Sequence, residues 1–319
     1  MLKSAIAALL VAAALQATAQ DYPVRAVRVI VPQTPGGATD VFTRAVGQRL
    51  AERWGRGVII ENRGGAAGTL GTEIAAKAPA DGYTLLATYA GSQAINQSLY
   101  PKLAFDSIRD FQTVATFAVT PFLLVVNHHV PIKNLQELIA LARRKPDVLT
   151  YASSGNGSVN HLLGEMLKLE AGIRLLHIPY KGIAPAITDV MAGQVDAAFT
   201  SVPSVIQHVA AGRVRALAVS SARRIAIAPD VPTIDEAGLR GFDVNPWWGM
   251  LAPAGVDMRI VRKINADVAD ILKTREMQEF FKAQGAEALI STPEELHKML
   301  VADSAKWAKV VKASGARID

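Results

Sequence analysis

The chain has 319 residues, 50% of them apolar and 19% charged, with 24 Gly, 16 Pro and no Cys. At about 150 residues per domain, that length points to two lobes and a core large enough to need no covalent staple. Lacking cysteine, the chain has no disulfide, thiolate nucleophile, Cys-based zinc or iron–sulfur site, or lipid-bearing cysteine anchor, and its scattered formal charge of +6 is not the basic stripe of a nucleic-acid binder.

Lys3 gives a short positive start, residues 5–15 are all apolar, and Ala17-Thr18-Ala19 has the small-x-small pattern of a cleavage site. A bilayer span needs about 20 apolar residues, so residues 1–19 are expected to be a cleavable signal peptide rather than an anchor. No later segment is long and apolar enough to cross a membrane. The mature chain is therefore expected in the periplasm, exported and not lipid-anchored.

From there, short β-branched runs alternate with helical patterns, which predicts parallel α/β layers. A strand at 27–31 leads through Pro32-Gln33-Thr34-Pro35-Gly36-Gly37-Ala38 into a helix at 39–54, with Phe42, Val46, Leu50 and Trp54 on one face. A strand at 58–61, a glycine-rich turn at 64–68 and a short helix at 69–77 follow. The strand at 83–88 runs into a polar loop, Tyr89-Ala90-Gly91-Ser92-Gln93. A strand at 122–126 precedes a helix that Asn134 and Glu137 cap and that reaches Arg144. The strand at 149–153 enters Ser154-Gly155-Asn156-Gly157-Ser158, followed by a helix through Leu169. Strands at 175–180, 195–199 and 214–219 then alternate with helices ending at Gly193 and Ala211. An extended stretch at 242–251 leads to three helical patterns, the last opened by Thr292-Pro293-Glu294-Glu295 as N-cap, N1 proline and capping-box glutamate.

Segments 122–126 and 242–251 each sit between complete βα blocks and are read as crossovers. With both crossing, 124–244 forms one lobe and 21–123 plus 245–319 a discontinuous other, and two crossings make a hinge.

The loops between strand and helix carry the chemistry. In parallel sheets they lie at the carboxyl ends of the strands, where ligands bind, and each following helix aims free N–H groups and a positive dipole end at the loop. An anionic oxygen is stabilised there without a cationic side chain. Gly36 and Gly37 let the backbone approach a ligand closely, and Asn156, Gly157 and Ser158 offer the same from the other lobe, with Ser158 as a cap. His161, in the first turn beyond, is a candidate to face the cleft. Trp247 and Trp248 alternate across an extended segment, so one is expected to line the cleft and the other to pack in the core. There is no HExxH, GxSxG or GxxxxGK[ST] motif. The six histidines do not cluster at metal-ligand spacing, and no cofactor or metal is expected. A rival reading, an exported hydrolase or isomerase, needs His161 as a base beside Ser158.

Several motifs in fixed order complete the reading: PQTPGGATD at 32–40, ENRGGAAGTLG at 61–71, DGYTLL at 81–86, YASSGNGSVNH at 151–161, HIPYKG at 177–182, PDVPTIDEAGL at 229–239 and WWGMLAPAG at 247–255. With them the chain resembles, over residues 22–315, the periplasmic solute receptors of the tripartite tricarboxylate transporters, the Bug receptors. The resemblance implies a two-lobe, type II venus-flytrap α/β fold with hinge strands and no catalysis. It implies a small organic carboxylate between the lobes, a membrane permease as partner and a monomer as the working unit; a ligand sensor feeding a signalling partner would share the fold. It assigns one carboxylate to Thr34, Pro35, Gly36 and Gly37, and further contacts to the loops holding Tyr89, Ser92, Ser154, Asn156, Gly157, Ser158, Thr200 and Ser201; Gln33, Thr39, His161 and Trp247 join the candidates from the reading of the residues. Gln33 stands where the family often has an aromatic, and Tyr89 where it often has Ser or Thr. Thr200-Ser201 replaces a common Asp-Asn, which argues against a ligand ammonium.

Overall fold

The structure, a computed structural model, describes residues 22–100 and 102–316, so the expected export signal at 1–19 lies outside it. One block runs β1 (Val27–Val31), α1 (Ala38–Trp54), β2 (Val58–Asn62), α2 (Thr69–Ala76), β3 (Thr84–Tyr89), α3 (Ala90–Leu99) and β4 (Phe111–Val119). A second runs β5 (Phe122–Asn127), α4 (Leu135–Arg144), β6 (Thr150–Ser153), α5 (Val159–Ala171), β7 (Leu176–Pro179), α6 (Ile183–Met191), β8 (Ala197–Ser201), α7 (Val202–Ala210) and β9 (Val214–Val219). The chain closes with β10 (Trp247–Pro253), α8 (Met258–Lys273), α9 (Arg275–Ala283), β11 (Glu287–Ala288) and α10 (Pro293–Ser314).

These strands form two sheets, ordered β11-β4-β10-β3-β1-β2 and β7-β6-β8-β5-β9. The pattern repeats: β2-β1-β3 and β7-β6-β8 are parallel, and beside each lies the strand that follows a passage from the other sheet, β10 or β5, running antiparallel to both its neighbours. The expected parallel layers are thus mixed sheets. A strand arriving from the other lobe carries no crossover helix, so nothing forces it parallel. The βα blocks keep strands such as β1 covered on both faces, which is why VRVIV is almost wholly apolar.

The chain passes between the sheets at Thr120-Pro121 and Asn245-Pro246, next to β5 and β10. The two passages are tied together: the Thr120 N–H donates to Pro246 O (3.4 Å). Ser220, fully buried, accepts from the Phe122 N–H (2.9 Å) and donates to Val244 O (2.6 Å). Two short, joined crossings form a narrow hinge behind the cleft.

The structure differs from the sequence reading at β4, β11 and α3. β4 and the two-residue β11 are absent from that reading; β4 lies between β11 and β10, and its Thr113 and Thr116 donate to the carbonyls of Pro293 and Leu289 near the chain's end. The polar loop expected after β3 is the helix α3. Its Gln93 and Asn96 are fully buried and donate to the carbonyls of Ser107 and Ala67 (3.0 and 3.2 Å), so distant partners make a polar, weakly helical stretch fold. No helix among the described residues is long and apolar enough to cross a membrane.

Candidate functional site

Six strand-to-helix junctions, three from each sheet, open on one cavity of about 660 Å³. β1–α1, β2–α2 and β3–α3 supply one wall; β6–α5, β7–α6 and β8–α7 supply the other.

At β1–α1, Gly37 is the N-cap in an extended conformation, and no side chain caps the helix. The first amides of α1 therefore lack both an intrahelical partner and a side-chain substitute, and Gly37, Ala38 and Thr39 border the cavity. Gly36, in contrast, donates its amide to Asp40 Oδ2 (3.0 Å). Asp40 also accepts from Asn62 (3.0 Å) and pairs with Arg44 (2.9 Å). Burial pushes its carboxyl up, but the bonds from Arg44, Gly36 and Asn62 outweigh it and hold the pKa below the usual range. Asp40 thus stays ionised and fixes the loop from behind.

The second wall is built differently. Ser158 caps α5, accepting from the His161 N–H (3.3 Å) and donating to Gly155 O (2.7 Å). Ser154 Oγ donates to Asn160 Oδ1 (2.7 Å), and Asn160 donates to Phe199 O (2.7 Å). The cavity floor is aromatic. Trp248 stacks on Tyr89 (5.3 Å, 13°) and on Phe122 (6.3 Å, 24°), and its Nε1 donates to Thr39 Oγ1 (3.1 Å). Burial raises the Tyr89 hydroxyl pKa, so it remains a neutral donor and acceptor. Across the mouth, a Cβ placed on Gly37 would lie 3.8 Å from Ile183 Cγ2, and one on Gly182 2.5 Å from Thr34 Oγ1, so the two lobes touch there.

Of the sequence-derived candidates, Gln33, Thr34, Gly37, Thr39, Tyr89, Ser92, Ser154, Asn156, Ser158 and Ser201 line this cavity. Six do not. Pro35 and Gly36 are exposed outside it, with the Gly36 amide already engaged. The Gly157 amide points back to His161 Nδ1 (3.0 Å). His161 is buried behind the loop, stacked on His177 (4.0 Å, 12°). Thr200, fully buried in β8, turns its hydroxyl inward, while the next residue, Ser201, faces the cavity. Trp247 points the other way across β10 and donates to Asp303 Oδ2 (2.9 Å), so Trp248 is the cleft residue, as strand alternation requires. The Ser158 hydroxyl is bonded to Gly155 and the His161 ring to Gly157, so the nucleophile–base hydrogen bond of a hydrolase is not formed.

The sequence reading missed the Tyr180-Lys181-Gly182-Ile183 junction, Tyr100, Asn160, Ser204 and Phe122. The first had a usable signal, a glycine directly before a helix after a β-branched run. Among the described residues Lys181 is the single charged side chain lining the cavity.

A family model described as the tripartite tricarboxylate transporter family receptor matches residues 42–316. The chain is 36% identical over 302 residues to Protein BugT of Bordetella pertussis, spanning 94% of this chain and 93% of that protein. Similar solved structures include Rpa4515 of R. palustris with adipate (TM-score 0.91, 35% identity, 93% of this chain and 100% of that one). Another is MatC of Rhodopseudomonas palustris with bound malate (TM-score 0.86, 33% identity, 91% and 100%).

Proposed function

The chain belongs to the tripartite tricarboxylate transporter receptor family, and from that premise we propose that it is an exported receptor that captures a small organic carboxylate and passes it to a membrane permease. One observation carries the reading: uncapped amides of α1 on one lobe and the Ser154–Ser158 loop on the other face a single 660 Å³ cavity that holds no carboxylate side chain among its described lining. An anion there meets converging N–H and O–H donors, and nothing repels it. The relatives with adipate and malate support the ligand class.

In this reading residues 1–19 direct export, and the lobes are those expected from the sequence, 21–123 with 245–319 and 124–244, except that Phe122 and Leu123 pair in the second sheet and go with the second lobe. The lobes close about Thr120-Pro121 and Asn245-Pro246. Closure expels water and strengthens each donor's bond to the ligand. The α1 amides and Thr39 hold one carboxylate; Asn156 meets the far end on a loop that Ser154 and Ser158 shape through their bonds to Asn160 and Gly155; Trp248 and Tyr89 cover the carbon chain. The protein acts as a monomer and does no chemistry on its ligand.

The test is native mass spectrometry of freshly purified protein, followed by tryptophan-fluorescence titration with succinate, malate and adipate. A co-purified small acid, a saturable response and recovery of the acid unchanged after prolonged incubation are expected. Failure of every acid to bind, or turnover of the bound one, would overturn the proposal.

A further inference from the structure

We propose that His161, stacked on His177, is a positioning residue that holds the second lobe's ligand loop in place only while its ring is uncharged, so that ligand capture is linked to protons. The inference rests on the carboxylate reading above but concerns residues that do not touch the ligand.

The Gly157 N–H donates to His161 Nδ1 at 3.0 Å. That nitrogen must therefore carry a lone pair, which places the ring proton on Nε2, 3.7 Å from Glu165 Oε1. On the other side of Asn156, the Gly155 N–H donates to Ser153 Oγ (3.0 Å), and Ser153 Oγ lies 2.7 Å from His177 Nε2. The two stacked rings thus fasten both amides that flank Asn156. A proton added to His161 Nδ1 would set N–H against N–H and release Gly157, whose left-handed backbone (φ 77°) is held by that bond.

The surrounding groups fix the direction of the effect. Glu165 and Lys168 reach His161 from α5, Tyr151 from β6 and His177 from β7. Glu165 accepts from Tyr151 Oη (2.6 Å) and Lys168 Nζ (2.8 Å), so its charge already has two partners. Burial lowers the His161 pKa; Glu165 opposes this and Lys168 adds to it. Burial, then His161 and Lys168, take the His177 pKa down to about 3. With the His161 pKa lower in the ordered loop than in a released one, the ordered loop is fully favoured above the free-histidine value of about 6.5 and loses ground as pH falls below it.

Two measurements test this. The first needs no ligand: the Gly157 amide resonance and its hydrogen exchange are followed from pH 8 to 5 in the wild type and in His161→Asn, whose side-chain oxygen can accept the same amide without titrating. The amide should shift and lose protection in the wild type and stay constant in the variant. A flat wild-type amide, or equal titration in both, overturns the inference. The second is adipate affinity over the same range; because the acid itself takes up protons toward pH 5 and weakens in both proteins, the readout is the difference between them, expected to be nil from pH 8 to 7 and a several-fold greater loss in the wild type at pH 5. Equal pH dependence in both proteins overturns the link to capture. If no acid binds at any pH, the functional reading fails separately, and the Gly157 titration alone decides whether His161 is the latch.

Discussion

The β1–α1 and β6–α5 junctions meet the cavity from opposite lobes with the same element, a glycine-containing turn into a helix, and finish it in opposite ways. α1 begins on Gly37 with no side-chain cap, so its first amides stay available. α5 begins on Ser158, whose hydroxyl serves the helix, and the Gly157 and Gly155 amides are tied to His161 and Ser153. At this pair of junctions α1 therefore offers backbone donors and the α5 loop offers side chains pinned from behind, while α6 and α7 of the second lobe also begin without a side-chain cap, on Gly182 and Ser201. Helix-start amides cannot move without unwinding the helix, whereas side chains on a loop can be exchanged.

Gly37→Val should break this comparison most severely. Its φ of −79° admits any L residue, and a Cβ there has only ordinary neighbours at 3.8 Å, so the fold should survive. The valine methyls would cover the Ala38 and Thr39 amides and reach Ile183. Losing charge-assisted hydrogen bonds at about 1.5–3 kcal/mol each should weaken carboxylate binding by at least ~100-fold, read by calorimetry. An affinity near wild type would show that the α1 amides do not hold the ligand.

Gly182→Ala attacks closure rather than contact. Its Cβ would meet Thr34 Oγ1 at 2.5 Å across the mouth, at a φ of 131° that L residues avoid. We expect roughly a tenfold loss of affinity and a larger radius of gyration of the ligand-bound form by small-angle scattering. A ligand-bound form as compact as the wild type would mean that the lobes do not need this approach.

Lys181→Gln sharpens the claim about neutral donors. The side chain is exposed at the rim, where a charge pair is screened, so the loss should stay below about tenfold and shrink further in salt. A loss matching that of Gly37→Val would move the main anchor to the lysine.

Asp40→Asn should have the smallest effect. The folded pKa of Asp40 is lowered, so its contribution is present above the free value near 4 and fades as pH falls through the lowered one. The wild type should lose about 1 kcal/mol relative to Asp40→Asn between pH 5 and 2, read as converging thermal midpoints. Parallel pH profiles would contradict that role.

How far the sequence reveals the site follows from the range of the forces involved. Local signals were legible: the 27–31 strand, the Asn134 and Thr292 caps and the glycine loops all appear as read. What depends on a distant partner was not. His161 lies in the expected turn, yet its ring is drawn behind the loop by His177, sixteen positions away in sequence and stacked on it at 4.0 Å. Trp247 and Trp248 were known to face opposite ways, but which faced the cleft depends on Asp303 and Thr39, at opposite ends of the chain. Gly36 and Gly37 look equivalent as letters; only the Asp40 carboxylate, one turn into the helix, separates them.

The account is tested most directly by a crystal structure of the acid-loaded protein. It predicts one ligand carboxylate within hydrogen-bond distance of the Ala38 and Thr39 amides, with the carbon chain against Trp248. A carboxylate held on the Lys181 ammonium, with those amides left to water, would contradict it.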